Sequence, residues 1–305
     1  MLRGSAHAIW LIALPFLLTI ENASADRDLK EELLSSSVLV GIVAGPDTGS
    51  ASGFLLGLRN QEFFVTARHV LFDSVKGTSA QTQWALKGTE VNLRIYSGNP
   101  DSGRTATITV DLQVALRRGG ILLHPTQDVA IVHLGHRETE DSEDIIFAPE
   151  VSMRAAEPLS FSELPPSAIK RFRDVIVGNS TFIFGYPSSI GLKNLPQIEP
   201  LKPLLRRGVI AGKNMQEQTL ILDCPVYYGN SGGPVIEVEY MPNGVRYRIV
   251  GVVSEFVPFA EKWVVTHTSS NVEVSNSGYS IAVPIDFVIE LMEMFNNHWS
   301  PNDME

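Results

Sequence analysis

A serine flanked by glycines is the feature of this sequence that most directly indicates chemistry. Ser231 lies in the segment 229–234 (GNSGGP), where Gly229 allows a positive φ angle and the later glycines leave the hydroxyl accessible. In such a turn the N–H groups of Gly229 and Ser231 can converge on one point and stabilise an oxyanion, with Asn230 setting the backbone geometry between them. The segment predicts a nucleophilic serine, although a glycine-rich stretch alone more often forms an ordinary loop.

Two further residues are placed to activate this serine, because a hydroxyl is a weak nucleophile until a base, oriented by a carboxylate, removes its proton. His69 stands near the end of the apolar run 63–70, where strand character gives way to a small-residue turn. Asp128 directly precedes the apolar run 129–134, which is typical of a buried strand. We therefore expect His69 to be the general base and Asp128 to orient it.

Each of the three residues also has an ordinary structural explanation. Taken alone, His69 fits a core histidine, Asp128 a strand-entry cap and Ser231 a turn residue. The three residues also occur in the order His, Asp, Ser, and three unrelated structural roles would produce that order only by coincidence. A shared catalytic role is therefore the better hypothesis. The nearest competing base is His124, but Pro125 after it indicates a loop, and we expect His124 at the surface or behind the site.

The segments around these residues resemble the motifs of trypsin-like serine peptidases with the chymotrypsin fold. The similarity lies in residues 66–70 (TARHV), 128–132 (DVAIV) and 229–234, and in their order along the chain. Residues 223–231 (DCPVYYGNS) have the spacing of the bacterial HtrA-like peptidases in particular, and the resemblance covers roughly residues 36–295. It implies a serine endopeptidase that cleaves a polypeptide substrate through the His-Asp-Ser triad and an acyl-enzyme, and that needs no cofactor.

The resemblance also implies where a substrate binds. Pro225 stands where a trypsin-type pocket would hold its acid, and Ser254 lies on the strand that pairs with the substrate backbone. Ser280 and Ala282 are expected to line the same pocket. We therefore predict an uncharged primary pocket for small or medium apolar side chains. The PDZ domains of many HtrA-like proteins have no counterpart in the sequence, which implies a stand-alone peptidase domain.

A second hypothesis is a catalytically latent or inactive domain that binds extended peptides or a partner protein. Tyr227 and Tyr228 replace the Asn-Pro pair usual in HtrA-like relatives, so an oxyanion turn held in an inactive arrangement stays open as an alternative. Retention of all three triad residues speaks against it, because binding alone gives no reason to keep them.

Short apolar or alternating segments separated by glycine, proline, asparagine and aspartate recur along the chain and are typical of β-barrels rather than βαβ units. We predict an all-β fold of two six-stranded antiparallel β-barrels of chymotrypsin type with a C-terminal helix. The predicted order is a signal peptide (1–25), an N-terminal barrel with His69 and Asp128 (26–136), an inter-barrel linker (137–174), and a C-terminal barrel and helix with Ser231 (175–305).

Composition and the first residues bear on partners and location. The formal net charge of -10 argues against a nucleic-acid partner, whose phosphates would be repelled. Residues 1–25 carry an early arginine, an apolar stretch and Ala23-Ser24-Ala25, the pattern of a cleavable signal peptide. We therefore expect export to the periplasm or out of the cell, with no stable membrane anchor after cleavage.

Cysteine and histidine usage adds two expectations. The single cysteine, Cys224, cannot form an internal disulfide, and we assign it no catalytic role. His133 and His136 lack the spacing of metal ligands, so no metal is predicted. The oligomeric state is left open by the sequence.

Overall fold

The computed structural model describes residues 32–44, 47–75, 83–96, 104–139, 142, 144–155, 164, 166–188, 195–242, 244–266 and 269–298. The predicted signal peptide lies outside the described residues. Within them the chain is mostly β-strand, with short helices and one longer helix near its C-terminal end. No helix in these ranges is long and apolar enough to cross a membrane.

Eleven strands and three short helices make up the N-terminal half. The helices are α1 (Glu32–Ser35), α2 (Arg68–Leu71) and α3 (Leu112–Arg117). The strands are β1 (Ser37–Ala44), β2 (Asp47–Leu58), β3 (Gln61–Thr66), β4 (Phe72–Val75), β5 (Gln83–Leu86), β6 (Glu90–Tyr96), β7 (Thr105–Asp111), β8 (Ile121–Leu123), β9 (Ala130–His136), β10 (Ile146–Phe147) and β11 (Val151–Ala155).

Nine of these strands form one antiparallel sheet in the order β10-β9-β3-β2-β1-β6-β7-β11, with β8 also paired to β9. The strands β4 and β5 form a separate two-stranded ribbon. The inner face of the sheet encloses an apolar core, which includes Val40, Phe64, Leu93 and Val132. This curved sheet is the N-terminal body of the fold.

The register between β3 and β9 explains why two distant parts of the sequence meet. Thr66, the last residue of β3, pairs with Ala130, the first residue of β9. Because the strands are antiparallel, the residues just after β3 lie beside the residues just before β9. This places His69 next to Asp128. Every residue of β3 is buried, which fixes the end of the strand and the turn that follows it.

The C-terminal body is a closed barrel of six strands in the order β12-β13-β14-β17-β16-β15. Its core contains Ile183, Leu222, Val235 and Val250. The strands are β12 (Ser180–Gly185), β13 (Leu204–Asn214), β14 (Thr219–Asp223), β15 (Pro234–Met241), β16 (Gly244–Thr266) and β17 (Ser269–Pro284).

The final helix, α4 (Ile285–His298), joins the two bodies. Its apolar residues recur at helical spacing and pack against residues from both sheets, such as Phe63 of β3 and Val252 of β16. Phe295 of α4 meets Phe63 edge to face, with ring centroids 5.2 Å apart. The core between the bodies therefore includes side chains from β3, β16 and α4.

The predicted all-β, chymotrypsin-type fold with a C-terminal helix is confirmed, with differences in detail. The N-terminal sheet has nine strands rather than six because three short strands are added. One is β8, and the other two, β10 and β11, come from residues within 137–174, the segment for which we predict a linker. The run 105–114, whose pattern predicts a single strand, ends at Asp111 and continues as α3. Asp111 caps this helix, because its Oδ1 accepts a hydrogen bond from Val114 N at 2.9 Å.

Candidate active site

His69 and Asp128 form a hydrogen-bonded pair at the end of β3. His69 Nδ1 lies 2.7 Å from Asp128 Oδ2, and the backbone N–H of His69 donates to Asp128 Oδ1 at 2.9 Å. Both carboxylate oxygens are therefore engaged by one histidine. The His69 side chain is 46% exposed, whereas that of Asp128 is 23% exposed, so the carboxylate stands behind the imidazole.

Ser254 holds the other side of this carboxylate. Its hydroxyl donates to Asp128 Oδ2 at 2.6 Å. Burial alone would raise the pKa of Asp128, but the hydrogen bonds and charge of His69 and the hydrogen bond from Ser254 outweigh it and lower the pKa to about 2. Asp128 is thus ionised at neutral pH and can only accept hydrogen bonds, so Nδ1 of His69 carries a proton and Nε2 is left as the basic nitrogen.

Ser231 lies at the same place, on the loop between β14 and β15. Its Oγ donates to the carbonyl oxygen of Ser254 at 3.1 Å, and among the described residues no hydrogen bond joins it to His69. Ser254 therefore contacts both halves of the site, through its hydroxyl to Asp128 and through its carbonyl to Ser231. A rotation about one side-chain bond of Ser231 would turn the hydroxyl away from that carbonyl.

Hydrogen bonds to its carbonyl groups hold the backbone that leads into Ser231. All five carbonyls from residue 227 to 231 accept hydrogen bonds. The donors are Asn230 N to Tyr227 (2.9 Å), Ser188 N to Tyr228 (2.7 Å), Ser52 Oγ to Gly229 (2.6 Å), Gly233 N to Asn230 (3.0 Å) and Ser52 N to Ser231 (3.0 Å).

Between residues 229 and 233, two N–H groups donate to no other residue in the described part of the chain. They are those of Gly229 and Ser231. A peptide plane points its N–H away from its C=O, so fixing the carbonyls of Tyr228 and Asn230 also fixes these two N–H groups. Free, fixed N–H donors on both sides of a serine are the arrangement that stabilises an oxyanion.

Glycine is required at two positions of the turn. Gly229 has φ +95°, and a Cβ there would collide with the carbonyl oxygen of Tyr186. Gly232 has φ +88°, and a Cβ there would collide with the hydroxyl of Thr66 and the carbonyl of Ser52. Both sites combine left-handed backbone with close contact to neighbouring backbone, so any side chain would distort the turn.

Ser52, in β2 of the N-terminal sheet, ties the turn to the rest of the molecule. Its hydroxyl donates to Gly229 O and accepts from Tyr186 N at 2.9 Å, while its N–H donates to Ser231 O. Its own carbonyl accepts from the hydroxyl of Thr66 at 2.9 Å. The residue is fully buried, and each of its polar groups is satisfied. Ser52 of the N-terminal sheet therefore helps to position the turn around Ser231, residues 227–233, in the C-terminal body. We call this segment the serine turn.

Comparison with models of protein families identifies the family of the chain. The family model described as trypsin-like peptidase domain matches residues 51–240, which is more than half of the chain. The chain belongs to the trypsin-like peptidase domain family. A search of curated proteins finds no relative of the sequence.

Solved structures similar to this peptidase domain are HtrA-type proteases and other proteases. The HtrA-type protease AlgW, solved with a tripeptide, has 12% identity and a TM-score of 0.47, and the match covers 88% of this chain and 63% of the AlgW chain. The MamO protease domain from Magnetospirillum magneticum, in its apo form, has 16% identity and a TM-score of 0.44, covering 85% and 96%. The serine endoprotease from Yersinia pestis has 13% identity and a TM-score of 0.43, covering 88% and 66%. This chain thus spans about three fifths of the AlgW chain.

The residues predicted to line the specificity pocket of the peptidase domain are mostly enclosed. Ser280 has no exposed surface, and its hydroxyl donates to the carbonyl of Cys224 at 2.9 Å. Ala282 is fully buried in the barrel core. Pro225 is partly exposed beside them. In this conformation Ser280 and Ala282 support the barrel wall behind the site and do not border an open pocket.

Three polar residues that sequence suggested as alternatives have structural roles in the peptidase domain. His124 is buried against Phe287 rather than at the surface, and its Nδ1 accepts from Gln127 N at 2.9 Å. His133 is buried, with Nε2 2.8 Å from Gln61 Oε1, and burial lowers its pKa to about 4. Burial raises the pKa of the Cys224 thiol to about 11, so it is a poor nucleophile. Among the described residues no cluster of metal-ligating side chains occurs.

Sequence reasoning missed two residues of the site or gave them another role. Ser254 was assigned to substrate binding, but its hydroxyl also holds Asp128. The sequence predicts no role for Ser52, which directly precedes Gly53 in β2. The hydrogen bond from Ser254 to Asp128 spans 126 positions of the sequence, and that from Ser52 to Gly229 spans 177. Only the folded chain therefore reveals them.

Proposed function

We propose that this protein is a serine endopeptidase that cleaves polypeptides through His69, Asp128 and Ser231. The observation that carries the proposal is the pairing of His69 with an ionised Asp128 beside a serine turn whose two free N–H groups are held in place. Membership of the trypsin-like peptidase family supports the same reaction.

The first step is attack of Ser231 on a peptide carbonyl. Oγ turns from the Ser254 carbonyl towards His69, whose Nε2 takes its proton as Oγ bonds to the substrate carbon. The carbonyl oxygen becomes an oxyanion and is stabilised by the N–H groups of Gly229 and Ser231, with Asn230 between them. Asp128 stabilises the imidazolium that forms on His69.

The second half of the reaction releases the products. His69 returns its proton to the leaving nitrogen, the C–N bond breaks, and the acyl group remains on Ser231. A water molecule then loses a proton to His69 and attacks the acyl-enzyme, which frees the new carboxyl terminus and restores the hydroxyl of Ser231. The reaction as proposed needs no cofactor.

Substrate preference and location belong to the proposal as well. An uncharged primary pocket between Pro225 and the strand of Ser254 favours small or medium apolar side chains, with the enclosed Ser280 and Ala282 forming the wall behind it. Residues 1–25 act as a signal peptide for export to the periplasm or the medium. The N-terminal domain of 26–136 takes in β10 and β11 from the segment 137–174, which leads on to the C-terminal domain of 175–305.

One observation favours a second candidate, a latent domain that binds extended peptides. The hydroxyl of Ser231 is bonded to the Ser254 carbonyl and not to His69, so the serine is in a resting position. Hydrogen bonds of this kind often form only when substrate is bound, which makes the peptidase the better conclusion.

Labelling with a fluorophosphonate probe separates the two candidates. We expect the purified protein to form a covalent adduct on Ser231, identified by mass spectrometry of the modified peptide, and the adduct to be lost in Ser231→Ala and in His69→Ala. Ser152→Ala, which removes an exposed hydroxyl in β11 away from the site, serves as the matched control and keeps full labelling. A folded protein that stays unlabelled while it binds peptides would establish the latent domain instead.

A further inference from the structure

The strands β16 and β17 continue well beyond the barrel. The pairing of β15 with β16 ends at Pro234 and Val252, and β14 pairs with β17 only between Tyr279 and Ala282. Farther out, the two strands pair with each other without a register shift from Pro258 and Asn276 to Val264 and Ser270. We call residues 258–266 and 269–276 the arm.

The arm is a two-stranded ribbon with exposed apolar side chains. On one face Phe259 is 51% exposed and Trp263 57%, and on the other face Val272 and Val274 are 61% exposed each. An isolated two-stranded ribbon is marginally stable in water, and a group of exposed apolar residues marks a surface that meets a partner. The arm therefore has the character of a binding element.

The register places aromatic and acidic residues on one face of the arm. Glu261 pairs directly with Glu273, and Phe259 and Trp263 stand two residues to either side of Glu261. Two carboxylates directly opposite each other repel, and a lysine or arginine between them relieves that repulsion. The flanking aromatic rings also favour a cation. This face fits a partner with both basic and apolar side chains.

Three observations link the arm to the candidate active site: two concern β16 just before the arm, and one is a direct contact of the arm. Ser254, whose carbonyl meets Ser231, lies on β16 four residues before the arm. Phe256 on the same strand packs edge to face against Tyr228 of the serine turn, with ring centroids 5.9 Å apart. Asn276 Nδ2 in the arm donates to the carbonyl of Val226 at 2.6 Å, next to the serine turn. The arm is thus a direct continuation of the site.

We propose that the arm binds the polypeptide being cleaved, along the segment N-terminal to the scissile bond, and that it favours segments with basic and apolar residues. This inference rests on the proposed function. An extended chain that adds antiparallel to the open edge of β16 at Ser254 has its N-terminal side directed outward, towards the arm. At about 3.3 Å per residue, the nine residues of the outgoing strand match nine or so residues of substrate, so short peptides do not reach it.

Peptide binding to Ser231→Ala protein tests the inference without requiring turnover. Three fluorescein-labelled peptides share a C-terminal core of six alanines and differ in a ten-residue N-terminal extension, which alternates leucine with lysine, leucine with glutamate, or glycine with serine. Fluorescence anisotropy should give a Kd for the leucine–lysine peptide about tenfold below that of the glycine–serine peptide. The leucine–glutamate peptide should bind more weakly than the leucine–lysine peptide, because Glu261 and Glu273 repel it.

The double substitution Phe259→Ser and Trp263→Ser, made in the same background, should remove the advantage of the leucine–lysine peptide. The matched control, Leu116→Ser with Met215→Ser, removes two exposed apolar residues elsewhere and should preserve it. Equal Kd values for the three peptides, or an unchanged advantage in the arm variant, would overturn the inference.

Two further readouts keep the inference separate from the proposed function and from self-association. With Ser231 intact, the arm variant should react with fluorophosphonate at the rate of the unsubstituted protein. If neither protein is labelled, the peptidase proposal fails while the binding result still stands. Sedimentation that shows a dimer lost in the arm variant, with peptide binding unchanged, would assign the arm to contacts between copies and refute the inference.

Discussion

At the scale of single residues, the site depends on side chains whose chemistry is unremarkable in sequence. Ser52 and Ser254 are ordinary serines with no charge and no motif of catalysis, yet each holds one part of the site. Ser254 orients Asp128, and Ser52 fixes the carbonyls on either side of Asn230. The orientation of Asp128 and the anchoring of the turn around Ser231 therefore depend on two buried serines.

Replacing Ser52 tests this arrangement. Ser52→Ala leaves the Gly229 carbonyl and the Tyr186 N–H without their buried partner, so we expect the free energy of unfolding to fall by about 1–3 kcal/mol. Because the turn is also released, the rate of fluorophosphonate labelling at Ser231 should fall about tenfold or more.

A matched control separates positioning from stability. Thr181→Val removes another fully buried hydroxyl, which donates to the carbonyl of Ile236 at 3.0 Å away from the serine turn. It should lower stability and leave the labelling rate intact. Equal labelling rates for Ser52→Ala and the unsubstituted protein would show that Ser52 has no positioning role.

At the scale of elements, the sequence predicted the strands that are buried in the fold and failed to predict those that are exposed. The position of Asp128 was predictable because the four residues after it, 129–132, are all apolar, which suits β9, a strand buried on both faces. The run before His69 was predictable for the same reason. The outer parts of β16 and β17 were not predictable, because residues 258–263 and 272–275 are exposed and show no alternation of buried and exposed positions. The strands β10 and β11 were not predicted because they are short and mostly exposed.

The boundary between β7 and α3 can be tested through its cap. Asp111→Ala removes the acceptor for Val114 N, so we expect the free energy of unfolding to fall by about 1 kcal/mol. Asp111→Asn keeps an acceptor oxygen and should retain most of that stability. Urea denaturation of both variants measures the difference, and an equal loss in the two would argue against capping by this side chain. Labelling of Ser231 should be the same in both.

At the scale of the whole molecule, one apolar core includes residues of both sheets and α4, so the two bodies are expected to unfold together. Acid stability then reports on buried groups in either body. His133 has its pKa lowered from 6.5 to about 4, chiefly by burial, and Asp128 has its pKa lowered from 3.8 to about 2 by its partners despite burial.

These two groups predict successive losses of stability as the pH falls. The unfolded chain protonates His133 below about pH 6.5 while the folded chain resists until about 4, so the free energy of unfolding decreases between these values. Asp128 produces a second decrease between about pH 3.8 and 2. Urea denaturation across this range should show that His133→Gln flattens the first decrease and that Asp128→Asn flattens the second. Curves parallel to that of the unsubstituted protein would contradict the assignment.

The contact of Ser52 with the serine turn has a consequence for the time before folding is complete. Ser52 precedes Ser231 by most of the chain and belongs to the other sheet, so neither half contains the whole set of hydrogen bonds that shapes the turn. A nascent or broken chain that has formed only its first half carries His69 and Asp128 without Ser231. The second half alone lacks His69, the proposed base, and Ser52, which holds the turn around Ser231. The proposed hydrolysis thus begins only with the finished fold, which protects the cell that synthesises the protein from incomplete copies of it.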